Sequence, residues 1–461
     1  MAFTVAFQME RRAGRRGIRA ALAAVAAVAA SFAFVAVGAS TSVSASASAS
    51  SALGALGASG ASGALSALSA LSALSASGAE VAAGAPLVMS TSDVGAYEAS
   101  IAPGTGDLAV AWYDTRGKYA QIFARLTGGA EPVSRELQLT HGRRNAYEPS
   151  LQMARDQIFI GWYDKMPGSG ELTARLGSWT REGVARWTVR LSANGHMGRN
   201  PVIRIAGDRV FCAWVEGSGP HAPDVWFAWF DLEGREVVPR RRAAVASRTT
   251  WNLNAALDGQ GRAWVVFDAK IGTRQSELYL VRAEADAVSV QRLSNDDGAA
   301  SVYPDIAFEG AKGALTWFDS RDGNTEVYLL AGDADALFQS PVDQRAHRVT
   351  TSSGSSVGAY LAWNRGVVGL AWSDDTEGQY EIYFQTFDDA GAPREEAHRL
   401  SRSDPWSLVP AIAPWGAGFA LVWNEYVPAK KQPKISSRSK VVMMLAPTAA
   451  VAPGDHSLAS Y

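Results

Sequence analysis

Pro304-Asp305-Ile306, then Leu315-Thr316-Trp317-Phe318-Asp319-Ser320-Arg321-Asp322-Gly323-Asn324-Thr325-Glu326-Val327-Tyr328, decides the fold. An apolar run ends in an indole, a carboxylate stands two positions on, turn-forming residues follow, and an acid opens another alternating run. The signature recurs at Trp112/Asp114, Trp162/Asp164, Trp214/Glu216, Val266/Asp268, Trp317/Asp319, Trp372/Asp374 and Trp423/Glu425, at intervals of 50, 52, 52, 51, 55 and 51 residues. A near-constant period of this length belongs to propellers and solenoids.

Laid over one another, the repeats read as four short strands. The first follows a Pro or small residue, the second runs into the anchor, and the third opens on an acid or amide, as in Glu277-Leu278-Tyr279 and Glu381-Ile382-Tyr383. The fourth ends in a small hydroxyl residue, as in Leu139-Thr140, Leu191-Ser192, Leu293-Ser294, Val349-Thr350 and Leu400-Ser401. The seventh repeat lacks this last strand, whereas Leu87-Val88-Met89-Ser90, ahead of the first repeat, has its pattern. The predicted fold is all-β: a seven-bladed β-propeller of four-stranded antiparallel blades. Its ring is closed by the N-terminal strand, which removes an open sheet edge.

Four segments are expected. In residues 1–38, Arg11, Arg12, Arg15, Arg16 and Arg19 precede an apolar run from Ala20 to Val37, the pattern of a signal peptide or, alternatively, an uncleaved membrane anchor. Residues 39–85 are nearly all Ala, Ser, Gly and Leu, a low-complexity linker. Residues 86–445 form the propeller and 446–461 a disordered tail, so the expected location is extracytoplasmic, with membrane contact only through an uncleaved N-terminal segment. With the five Arg and one Glu of the first 79 residues set aside, 43 basic and 45 acidic residues become 38 and 44. That acidic balance argues against nucleic acid as a partner. Cys212, the only cysteine, excludes a disulfide framework and a cysteine metal site.

Asp114, Asp164, Glu216, Asp268, Asp319, Asp374 and Glu425 are read as structural turn acids, because a group repeated in every blade serves every blade, whereas catalysis needs an asymmetric set. Asp319, Asp322, Asn324 and Glu326 together offer four oxygen donors of the kind calcium prefers, but the other repeats do not share them. No catalytic residue, metal or cofactor is assigned.

The unit from Pro304 to Tyr328 resembles repeats of secreted bacterial propellers of the sialidase-like superfamily, with a looser likeness to TolB-type propellers. The resemblance implies a propeller and, for its hydrolases, arginines holding a substrate carboxylate with a Glu and a Tyr at the reacting carbon. Arg143, Arg199, Arg248 and Glu148 would take those parts. The Asp-box and Arg-Ile-Pro motifs of sialidases have no adequate counterpart here, so the hydrolase is the alternative reading. The principal reading is a binding module for a glycan or protein partner, using inter-blade links on the face where second strands end. Candidate ligand-binding residues there are Arg143, Tyr147, Glu148, Arg199, Arg248, Trp251, Tyr303 and Trp406. Trp251 and Arg199, from adjacent links, are expected to converge at the mouth of the central channel.

Overall fold

The computed structural model describes residues 86–446 apart from Asp93, Ala130, Ser340 and the stretches 218–222, 244–249, 284–286 and 428–437; the side chains of Thr250, Trp251 and Phe338 are also outside the description. The signal and linker segments thus lie outside the described residues, as does the tail apart from Ala446, which is buried and ends the last strand rather than opening a tail. The rest forms seven four-stranded antiparallel sheets, with one 3-10 turn at Ala334–Phe338. The inner strands are Ala96–Pro103, Asn145–Ala154, Met197–Ala206, Thr250–Leu257, Ser301–Glu309, Ser356–Asn364 and Trp406–Trp415. Each touches the inner strand of the next blade, and the seventh returns to the first, which closes the ring.

Blade seven joins the two ends of the domain, its strands running Leu87–Val88, Arg438–Ala446, Gly418–Val427, Trp406–Trp415. Leu87 pairs with Met443 and Val88 with Val442. The Met89 N–H donates to the Val441 carbonyl at 2.8 Å, and the Met89 side chain is fully buried. The expected closure by the N-terminal strand is therefore observed.

Packing follows the alternation of the second strands. Trp112, Trp214, Trp317 and Trp423 have no exposed surface and face the preceding blade. Trp112 packs with Val422 and Met443 of blade seven, and Trp423 with Ala371 and Phe384 of blade six. Residues of the opposite parity, such as Ala109 and Ala111, meet Ile158, Ile160 and Trp162 of the next blade.

The terminal hydroxyl of the fourth strand does the same thing in blade after blade. Thr140, Ser192, Ser294, Thr350, Ser401 and, in blade seven, Ser90 accept an N–H from near the start of the third strand: Ile122, Ala174, Leu278, Val327, Ile382 and Val441, at 2.7 to 3.3 Å. Blade three has Ala243 at this place, and there Asp224 accepts the Val225 N–H through its own Oδ1 at 2.9 Å. In blades four, five and six the hydroxyl also donates to the acid that opens the third strand, Glu277, Glu326 or Glu381. The strands themselves stop short of the hydroxyl, at Gln138, Arg190, Arg292, Arg348 and Arg399.

Asp114, Asp319 and Asp374 accept the N–H of the residue two positions on, at 2.8 to 2.9 Å, and so hold the turn. Asp164 and Glu216 instead accept the indole N–H of Trp162 and Trp214 at 2.8 and 2.7 Å, while Glu425 pairs with Lys440 at 2.8 Å. Blade four corrects the repeat alignment. Its register sets Phe267 opposite Tyr279 and Ala269 opposite Glu277, as Trp317 faces Tyr328 and Asp319 faces Glu326. The anchor there is Phe267 and the turn position is Ala269, so Asp268 is not a turn acid. The oxygens of the Asp319–Glu326 stretch bind protein donors: Asp319 accepts from Ser301, Arg321 and Trp317, Asp322 from Tyr328, and Glu326 from Thr350 and Arg348. Replacing Asp319 with Ala strands these donors, and thermal unfolding should show a loss of about 2 kcal/mol.

Candidate functional site

All seven inner strands slip register by one residue near their start. The slip falls between Tyr97 and Ser100, Tyr147 and Ser150, Arg199 and Val202, Thr250 and Leu253, Val302 and Asp305, Val357 and Tyr360, and Leu408 and Ala411. Such a bulge interrupts the alternation of the strand and re-aims a side chain. Six bulge residues have left-handed backbone: Glu98 (φ 51°), Glu148 (51°), Asn200 (48°), Tyr303 (54°), Gly358 (63°) and Val409 (55°). For each residue other than glycine this costs on the order of 1 kcal/mol, which the surrounding structure must hold in place. Glu148, Asn200, Tyr303 and Val409 each precede a proline, whose missing N–H suits a position outside the ladder.

Hydrogen bonds between blades fix this rim. Ser100 accepts the Leu151 N–H at 3.2 Å, Ser150 the Ile203 N–H at 3.1 Å, and Asp305 the Leu361 N–H at 2.9 Å. Asn424 accepts the Glu98 N–H at 2.9 Å. Asp268, at the corresponding place in blade four, accepts the Tyr303 N–H at 2.9 Å and the Asn252 side-chain amide at 2.6 Å. This is what Asp268 does instead of capping a turn.

The backbone device is repeated, but its side chains are not. Around the ring the bulge position holds Glu98, Glu148, Asn200, Asn252, Tyr303, Gly358 and Val409. The position before it holds Tyr97, Tyr147, Arg199, Trp251, Val302, Val357 and Leu408. Polar, charged and aromatic residues thus occupy blades one to four and aliphatic ones the opposite arc, with Tyr303 at the boundary.

Four tyrosines form a ladder across blades one and two. Tyr97 and Tyr113 stack with centroids 5.4 Å apart, Tyr113 meets Tyr147 edge-on at 5.1 Å, and Tyr147 lies 5.7 Å from Tyr163. The Tyr163 hydroxyl donates to Glu148 Oε1 at 3.2 Å, whereas Glu148 Oε2 is buried and accepts no hydrogen bond. Burial, then the nearby Glu98 charge, pushes the Glu148 carboxyl up to about 8. Burial also raises the Glu98 carboxyl, and burial with the charges of Glu98 and Glu148 lifts the Tyr113 phenol. Burial lowers the Arg199 guanidinium, and nearby Glu148 and Tyr163 act against that lowering.

A second polar group lies further along the inner strands. Arg204 donates to Asn254 Oδ1 at 2.9 Å and to its neighbour Ile203's carbonyl at 2.8 Å. Burial raises Asp305 to about 6, while the Leu361 N–H and the Arg204 charge act against that rise. Burial, with the Asp305 charge next, also raises the Tyr360 phenol.

The sequence-predicted residues separate into three groups. Tyr147, Glu148, Arg199 and Tyr303 are on the rim, but in strands rather than links, because the bulge hides the strand pattern. Tyr303 stacks on Phe318 at 4.8 Å. Trp251 occupies the register position of Tyr97, Tyr147 and Arg199, with its side chain outside the description; Arg248 lies outside the described residues altogether. Arg143 is exposed in the link before blade two, and Trp406 makes an edge contact with Tyr380 of blade six at 6.1 Å. Tyr113 and Tyr163 do not stand out in the sequence. The available signal is the triplet Trp-Tyr-Asp, which occurs only at 112–114 and 162–164.

Fold and rim together define a seven-bladed propeller with a one-sided polar crescent at the mouth of its channel. No protein-family model and no curated protein matches the chain. Among solved structures it is similar to the polysaccharide lyase Uly1, with 9% identity, 75% of this chain and 89% of that chain covered, and a TM-score of 0.48. Among the described residues no helix is long and apolar enough to cross a membrane, and no group of three or more His, Cys, Asp or Glu is arranged to hold a metal ion.

Proposed function

We propose that this chain is an exported binding module that recognises a glycan, or a polar surface of a partner protein, at the rim of blades one to four. The observation that carries the reading is the contrast between seven equal bulges and their unequal side chains. A purely structural device would have no reason to place Glu, Glu, Asn and Asn on one arc and Gly and Val on the other. Tyrosine faces beside carboxylates and a guanidinium suit a hydroxyl-rich ligand. Export is supported by the basic and apolar segments at the N-terminus.

A glycan array followed by calorimetry tests the proposal. Glu148→Gln should weaken binding of the best glycan at least tenfold, about 1.4 kcal/mol, without lowering the melting temperature, because a neutral amide replaces a carboxyl that burial makes costly to ionise. Unchanged affinity in this variant would take the site away from the rim.

One contact favours a second reading, glycoside hydrolysis: the Tyr163 hydroxyl on Glu148 pairs a phenol with a carboxyl that could deprotonate it. Turnover of a fluorogenic sialoside, abolished by Tyr163→Phe, would establish it. Absence of turnover at high enzyme concentration would leave binding alone.

A further inference from the structure

We propose that the crescent of blades one and two takes a primary ammonium group carried by an amino sugar, so that the preferred glycan is one with free hexosamine units. This rests on the binding reading above and gives its ligand a charge. Two carboxylates, Glu98 and Glu148, stand on adjacent bulges, with one guanidinium, Arg199, on the next blade. The Glu148 Oε2 atom is buried without a donor, and the Tyr163 hydroxyl already occupies Oε1. An ammonium group brings three N–H donors and a positive charge, and the tyrosine ladder offers π faces that attract cations. A carboxylate or sulfate ligand at the same place would face both glutamates, with Arg199 as the offsetting cation among the described residues of these bulges.

An amino sugar fits better than a lysine side chain. A lysine needs an apolar slot for its four-carbon stem. Glu148, whose Oε2 would anchor the ammonium, is bordered along the rim by Glu98 on one side and by Arg199 and Asn200 on the other; Leu408 of blade seven lies beyond Glu98, and Val302 and Val357 are on the opposite arc. Sugar hydroxyls have donors and acceptors to meet on the polar side.

The test compares three probes by calorimetry at about pH 6, where amines are protonated, in moderate salt that screens the general attraction of an acidic domain for cations. The probes are a glucosamine hexamer, its fully N-acetylated form and hexalysine. The deacetylated hexamer should bind at least tenfold more tightly than the acetylated one, and Glu98→Gln and Glu148→Gln should each remove most of that preference. Binding should also release a proton in the wild type, seen as a buffer-dependent enthalpy, and not in Glu148→Gln. Equal affinity for both hexamers would overturn the ammonium assignment while leaving glycan binding intact. Hexalysine binding as tightly as the glucosamine hexamer would overturn the sugar assignment. Failure of both hexamers and of the whole array would remove the glycan reading itself.

Discussion

A chain that begins at Ser92 instead of Pro86 should melt roughly 10 °C lower, although it keeps all seven anchors. The deleted residues contribute the outermost strand of blade seven. Its loss strips Met89 from the cluster that holds Trp112, Val422 and Met443. The Met89 N–H bond to Val441, the Val441 N–H bond to Ser90 at 3.0 Å and the Arg125 bond to the Met89 carbonyl at 3.2 Å go with it. A buried methionine is worth about 2–5 kcal/mol and each hydrogen bond about 1. The total, about 5 kcal/mol, corresponds to the stated shift. The exposed edge of Arg438–Ala446 should also promote association, measurable by light scattering. Equal melting temperatures for the two chains would mean that this strand contributes nothing to the ring.

Between pH 5 and pH 8 the domain should lose stability, and Glu148→Gln should remove the largest single part of that loss. Glu148 titrates near 8 in the folded protein, Glu277 near 7 and Asp305 near 6, each raised first by burial. An unfolded carboxyl titrates near 4, so across this interval the folded state binds more protons than the unfolded one. Stability therefore falls as pH rises, from the unfolded value up through the folded one. Partial access of water to the rim reduces the effect of Glu148 to about 2 kcal/mol, below what its full shift would give. Thermal melts of wild type and Glu148→Gln across this range decide the matter. Parallel pH dependence in the two proteins would show that Glu148 ionises normally in the fold.

The architecture was legible because most blades are built from the same parts in the same order, with an indole against the preceding blade, then a turn, then a hydroxyl that closes the sheet. Blade four shows where that legibility fails. With no tryptophan at the anchor, Val266-Phe267-Asp268 offers an apolar residue two places before an acid, and the pattern settles one residue early. Only the pairing of Phe267 with Tyr279 reveals the offset. The rim residues were visible as functional types but were placed in links, because a bulge followed by proline looks like the start of a strand rather than its interior. Tyr113 and Tyr163 were hidden for a different reason. Strand alternation assigns them to a buried face, and nothing local distinguishes a tyrosine that packs from one whose hydroxyl reaches a carboxylate on the neighbouring strand.

The way blade seven is assembled sets an order of events during synthesis. Blades one to six each come from one contiguous stretch and can form as the chain emerges. The Ser90–Val441 bond spans 351 positions, so the seventh must wait for the last strand. For a free chain, closing a loop of that length costs only about 2 kcal/mol more than closing one of about 50 residues, because the penalty grows logarithmically. Six stacked blades already hold the two ends near one another, which shortens the search further. The vulnerable species is therefore a nearly finished arc with Met89 and Trp112 uncovered. A folding helper would be needed most in the brief interval before the ring becomes continuous.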